Sequence, residues 1–204
     1  MGKDVITYEY GASLYVNATN RCDLACDFCL RRHGDSVGGS DSLWLSREPT
    51  REEILSSIMA RDWNRYDQLV FCGYGEPAYR LEDICAVIDD LHESDFDLPI
   101  RIDTNGTANL IWGYDTVPLF AGRFDVVSVS LNDADEARYN ARCHPKYPGA
   151  YQAMLDFTRA VVQVVPVVKM TVVDNIPPEE IEACRQICEG LGAVYRVRQY
   201  QEKW

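Results

Sequence analysis

From residue 13 to residue 200 the chain alternates short apolar runs with amphipathic stretches, and this alternation restricts the fold more than any other feature. Strands are expected at 13–19, 68–73, 99–104, 125–131, 164–173 and 193–200. Helical patterns fall between them at 50–62, 81–93, 149–162 and 178–191, with a weaker piece over 109–121 that Pro118 interrupts. Thr50 with Glu53 three residues on reads as a capping box. Pro177-Pro178 followed by Glu179 and Glu180 reads as a helix start. Strand alternating with helix argues for a parallel α/β domain. Six such strands fall short of a closed eight-fold barrel, which takes ~250 residues. An incomplete barrel or a doubly wound sheet both fit, preceded by a hairpin that turns at Gly11-Ala12.

Strand parity narrows the choice. Buried parallel strands read as nearly continuous apolar runs, yet four strands here are polar on one face only. Ser128, Ser130 and Asn132 alternate with Val127, Val129 and Leu131, and Lys169 and Thr171 with Val168, Met170 and Val172. Arg196 and Arg198 share a face, as do Arg101, Asp103 and Asn105. A barrel with a polar, ligand-binding interior accounts for all four stripes, whereas a solvated sheet face would have to arise four times. Functional groups are expected at the C-terminal strand ends.

The first core strand runs into Cys22-Asp23-Leu24-Ala25-Cys26-Asp27-Phe28-Cys29. Three cysteines in a CxxxCxxC loop suit an Fe–S cluster, whose natural ligands are thiolates. Such a loop leaves a fourth iron open to another ligand, as catalytic metal sites do. Zinc is the rival, with His33 as a fourth ligand. The other five cysteines form no second CxxC pair; Cys184 and Cys188, one helical turn apart, read as packing, as do Cys72 and Cys143, the latter in a loop.

Composition removes several function classes. With 20 basic against 32 acidic residues the formal net charge is -12, which argues against an extended nucleic-acid surface. Hydrophobic residues at 47% are enough for a core. No stretch approaches the ~20 apolar residues of a membrane span, and residues 1–7 lack a signal-peptide core. A cytoplasmic location is expected, where cysteines serve metals or catalysis rather than disulfides. The chain reads as a single domain over 1–204, with a hairpin strand in 1–12 and a candidate lid in the Gly/Ser/Asp-rich loop 33–48, which carries Trp44.

The CxxxCxxC spacing, with an aromatic residue before the last cysteine, resembles the signature of the radical S-adenosylmethionine (radical SAM) superfamily. Further elements follow in the family's order. Phe71-Cys72-Gly73-Tyr74-Gly75-Glu76-Pro77 is similar to its GGEP motif, Thr104-Asn105-Gly106 ends the next strand, and Ser128–Asn132 resembles its ribose motif. Residues 169–173 stand where the family places adenine contacts. The opening 6–22, together with 71–77 and 195–198, is most similar to the short TatD-associated radical SAM group. The resemblance covers nearly the whole chain and implies a partial (β/α)6 radical SAM barrel.

The resemblance also implies residue roles. Cys22, Cys26 and Cys29 would hold a [4Fe-4S] cluster whose open iron chelates S-adenosylmethionine. Gly73, Tyr74, Gly75 and Glu76 would meet the methionyl ammonium, with Tyr74 departing from the family's second glycine. Phe28 would lie against adenine, with Val172 beside it. Asn105, Ser130, Asn132 and Asp103 would serve the ribose hydroxyls, and Lys169 the methionyl carboxylate or the substrate. Reductive cleavage of S-adenosylmethionine would then yield a 5'-deoxyadenosyl radical that abstracts hydrogen from the substrate. Asp23 and Asp27 would help to keep the cluster potential low. Arg31 and Arg32 would dock a flavodoxin or ferredoxin as electron donor.

Arg196 and Arg198 point to a small anionic substrate, because the guanidinium fork recognises carboxylate or phosphate. The competing possibility is that they pair with Asp103 or Glu76. The final strand falls close to Trp204, and no auxiliary cluster domain is expected. Three functions stay open: a small-molecule enzyme with a nucleotide-related substrate, an activase that generates a radical on a partner protein, and a non-catalytic Fe–S or zinc module.

Overall fold

The computed structural model describes residues 4–201, so the first three residues of the 1–12 segment and Trp204 lie outside it. Seven strands form one sheet whose spatial order equals their chain order. They are β1 (Thr7–Tyr10), β2 (Ser13–Val16), β3 (Gln68–Phe71), β4 (Ile100–Thr104), β5 (Val126–Ser130), β6 (Val167–Val173) and β7 (Val194–Arg198). β1 and β2 form the expected antiparallel hairpin, and β2 to β7 are all parallel. Six parallel strands in sequential order, with crossovers of the one hand that parallel strands favour, put the helices on the same side of the sheet. The sheet does not close, and the fold is the expected partial barrel.

The helices are α1 (Arg51–Met59), α2 (Leu81–His92), α3 (Ala108–Trp112), α4 (Glu136–Cys143), α5 (Ala150–Val161) and α6 (Pro178–Gly190). The capping box is present: Thr50 Oγ1 accepts from Glu53 N at 3.3 Å and Glu53 Oε2 accepts from Thr50 N at 2.8 Å. The weak helix over 109–121 is only five residues long. It stops at Gly113, which adopts φ +74°, and Pro118 sits in a separate 3-10 turn. The sequence reading missed α4, so Cys143 is the last residue of a helix and fully buried, not in a loop.

Alternation along the strands divides the sheet. Leu14, Val16, Leu69, Phe71, Ile102, Val127, Val129, Met170 and Val172 face the helices in one core. The Val172 side chain, expected at the cofactor, is therefore a core group turned away from the barrel interior, and its neighbour Val173 lines the first cavity. The opposite residues of the same strands form the polar interior. Loop 33–48 is pinned to the segment that follows β2 through the buried Leu43 and Leu45, whose carbonyls accept from Asn17 Nδ2 at 2.7 Å and Asn20 Nδ2 at 2.8 Å, and its Val37 lines the polar interior. Among the described residues no helix is long and apolar enough to cross a membrane.

Candidate active site

Two adjoining cavities occupy the polar interior: the first lies at the C-terminal end of the sheet, and the second reaches from Gly73 and Arg198 down to Gly11, Ser13 and Gln68 at the N-terminal ends of β2 and β3. The first, of about 210 Å³, gathers most of the expected cofactor residues. Cys22, Cys26, Phe28 and Cys29 form one wall, Gly75 and Glu76 a second, and Asp103, Asn105, Ser130, Asn132 and Arg198 the rest. The second, of about 440 Å³, holds Gly73, Tyr74 and Arg196 together with Arg101, Ser128 and three tyrosines. Cys72, Asp103, Ser130 and Arg198 border both. Cys72 is thus at the junction of the two spaces rather than packed away.

The chain's own hydrogen bonds fix the first cavity. The buried Glu76 carboxylate accepts from Ala78 N (3.0 Å), Thr104 Oγ1 (2.7 Å) and Asn105 N (2.7 Å). Burial, reinforced by the nearby Asp23 carboxylate, pushes its pKa up to about 7 against the pull of these donors. Asp23 accepts from Asn105 Nδ2 and Thr107 Oγ1, both at 2.8 Å. Asn105 Oδ1 is taken by Thr107, so the Asn105 amide is engaged within the protein. Gly75 lies against the strand end that leads to Cys22. A Cβ there would meet the carbonyl oxygens of Arg21 at 2.3 Å and Thr19 at 2.6 Å.

The donor set fits a cluster with a bound nucleoside-bearing cofactor. Burial holds the Cys29 thiol above its ordinary pKa, and the adjacent Cys143 thiol together with burial does the same for Cys26. Metal binding to such thiols proceeds with loss of their protons. Among the described residues no three His, Cys, Asp or Glu side chains could hold one metal ion; in a cubane each thiolate binds a different iron. His33 contacts the Tyr200 hydroxyl through Nε2 at 3.3 Å instead of joining the cysteines. Asn132 adopts φ +64°, and its buried Oδ1 has no partner while its Nδ2 lies 3.6 Å from Cys143 Sγ. An orphaned acceptor on the cavity wall is what a ribose hydroxyl would satisfy.

Other expected residues stand elsewhere. Lys169 lines neither cavity: it shares the inward parity of Thr171 but sits one pleat deeper, opposite Ser128 and Val194. The Tyr74 ring is buried beneath loop 33–48, edge-on to Trp44 with centroids 5.0 Å apart, and its hydroxyl donates to the Gly34 carbonyl. Gly73 packs on Asn17, where a Cβ would meet Oδ1 at 2.7 Å. Arg196 and Arg198 have no hydrogen-bond or ion-pair partner among the described residues. Asp103 pairs with Arg101 at 2.9 Å instead. Leu24, Leu30 and the segment 199–201 also line the first cavity, and nothing in the sequence pattern marks them.

An open α/β barrel with a three-cysteine loop and a glycine-glutamate turn at its C-terminal rim defines a cofactor-dependent enzyme. The chain belongs to the Radical SAM superfamily, whose profile matches residues 16–187. Enzymes of this superfamily use a [4Fe-4S] cluster and S-adenosylmethionine. The chain is also similar to a "Probable GTP 3',8-cyclase" of Methanocella arvoryzae, with 28% identity over 193 residues. That match covers 91% of this chain and 56% of the relative, so the chain spans little more than half the relative's length.

Proposed function

We propose that this radical SAM enzyme acts on a small anionic substrate of the nucleotide class, bound in the second cavity. The observation that carries the proposal is that the three-cysteine cavity and a larger arginine-bearing cavity share walls at Cys72, Asp103, Ser130 and Arg198. Cys22, Cys26 and Cys29 hold the cluster, the turn 73–76 and Asn132 hold S-adenosylmethionine, and Phe28 lies against its adenine. The bound pair supplies reductive cleavage of S-adenosylmethionine and hydrogen abstraction from the substrate.

The protein's own groups orient that substrate. Arg196 and Arg198, whose side chains have no hydrogen-bond or ion-pair partner among the described residues, offer forks for phosphate or carboxylate. Tyr8 stacks on Tyr15 with centroids 5.3 Å apart, and Tyr10 meets Tyr15 edge-on at 6.0 Å, giving an aromatic wall for a planar base. A cavity of about 440 Å³ lies within the usual range for small-molecule sites. The relative's name refers to GTP, which belongs to the same chemical class. A flavodoxin or ferredoxin is the electron donor in this reading, and the cytoplasm its compartment. In this reading the chain is one of the TatD-associated group, which the likeness of segments 6–22, 71–77 and 195–198 supports, and loop 33–48 is a cover for the second cavity.

The test is anaerobic reconstitution with iron and sulfide, then EPR of the reduced protein with and without S-adenosylmethionine. A [4Fe-4S] signal that shifts on adding S-adenosylmethionine, with release of 5'-deoxyadenosine, is the expected result. Nucleotides are then titrated for binding and for stimulation of that release. A zinc-loaded protein, or a cluster indifferent to S-adenosylmethionine, would overturn the reading.

A further inference from the structure

The cysteine loop is not a free-standing excursion. Ala25 N donates to the Cys143 carbonyl at 2.9 Å, Asp27 N to the Arg142 carbonyl at 2.9 Å, and Lys146 N to the Asp23 carbonyl at 2.8 Å. These bonds stitch the loop to the segment after α4, so residues 26–33 and 142–146 form one continuous outer surface. The combined surface carries four permanent cations, Arg31, Arg32, Arg142 and Lys146, against one carboxylate, Asp27. In a chain of net charge -12 this is a local reversal of sign.

The cations are presented rather than neutralised. Arg32 and Lys146 are exposed. Arg31 stacks on the half-exposed Trp44 ring at 4.4 Å, and Arg142 lies over the Phe28 ring at 5.2 Å. Asp27 is shared between His144 Nε2 at 3.0 Å and a longer contact to Arg32 at 3.8 Å. Phe28 and the cysteines on either side of it line the first cavity from within, so the basic surface is the outer side of the same wall.

We propose that this surface docks an acidic one-electron carrier protein, which passes its electron through the loop to the cysteine-held centre. The proposal rests on the radical SAM reading, which requires such a donor, and adds to it the place and sign of the contact. One electron leaves the reduced carrier and one arrives at the centre, with no proton transferred. Opposite charge steers such an encounter chiefly through the association rate. The general repulsion between two acidic proteins makes a local basic landing site necessary.

The experiment measures association of the reconstituted enzyme with a purified acidic flavodoxin, by stopped-flow and at equilibrium, over a range of salt. Lys146→Glu is expected to slow association about fivefold, and Asp27→Asn to speed it. Added salt should weaken binding in every case. A variant that merely misfolds would not associate faster, so the opposed pair of effects separates docking from damage. Unchanged association in both variants, salt-independent binding or no binding would each overturn the proposal. Cleavage of S-adenosylmethionine driven by dithionite, a small reductant that needs no docking surface, is measured in parallel. Its loss with flavodoxin binding intact would count against the enzymatic reading and leave the docking surface standing.

Discussion

The two cavities share a wall and are built in opposite ways. Around the cysteines, Glu76, Asp23, Asn105 and Thr107 satisfy one another in a closed buried network, with Asn132 Oδ1 the buried acceptor left open. On the other side Arg196 and Arg198 carry full charges that nothing in the described protein balances. A saturated network fixes geometry before any ligand arrives, as an unvarying cofactor demands. Unpaired cations leave the recognition energy to be collected from the ligand. The fold thus closes its hydrogen bonds on the cysteine side, whereas in the second cavity Arg101 is paired with Asp103 and Arg196 and Arg198 keep their charge for a ligand.

The sharpest way to break this contrast is at Gly75. Backbone atoms, which cannot swing aside, surround its missing Cβ. Gly75→Ala is expected to cost about 1–3 kcal/mol of stability and to abolish binding of S-adenosylmethionine, measured by chemical denaturation and by the EPR shift. The arginines should behave in the opposite sense. Arg196→Ala, whose wild-type side chain reaches the second cavity alone, should leave stability within about 0.5 kcal/mol. It should also raise KM for an anionic substrate about tenfold or more, with S-adenosylmethionine affinity unchanged. Arg198→Ala should alter both affinities, because Arg198 borders both cavities. If Arg196→Ala unfolded the protein, the charge would be structural and the contrast would fail.

The smallest effect concerns pH. The Glu76 pKa rises from 4.5 to about 7 on folding, so between those values the native state holds more protons than the unfolded one. Its contribution to stability is fully present below about pH 4.5 and is lost as the pH rises through 7. Glu76→Gln should flatten that part of the stability–pH curve, measured as urea midpoints. An unchanged slope would mean that the three donors to the carboxylate outweigh its burial.

Much of this was legible in the sequence, and the exceptions are instructive. Alternation and parity gave the parallel α/β class, the hairpin and a polar barrel interior, because the period of two is imposed by the pleat itself, and the family resemblance gave the partial barrel. Parity groups Val172 with Met170 and Val168, facing the core, whereas its assignment to the cofactor came from a family resemblance; its side chain lines neither cavity. Parity could not show how deep a residue sits, so Lys169 passed for a site residue. The helix α4 was missed because it is mostly polar, yet its signals were present in the Asp135 cap to Arg138 N at 3.0 Å and the Tyr139/Cys143 pair one turn apart. The fate of Glu76 and Asn105, bound to their own neighbours, depends on loops meeting in space and leaves no trace in local pattern.

The sequential strand order carries a consequence for biosynthesis. Every strand pairs with the one made just before it, so the sheet can grow from one end as the chain is synthesised, N-terminal parts first. The cysteine loop, the 73–76 turn and Asn105 all belong to the first half of that growth. Arg196 and Arg198 come with the last strand. The nascent polypeptide can therefore assemble its cysteine-bearing half while the second cavity still lacks a wall, and in the proposed reading β7 is the step that gives a metalloprotein its means of choosing a substrate.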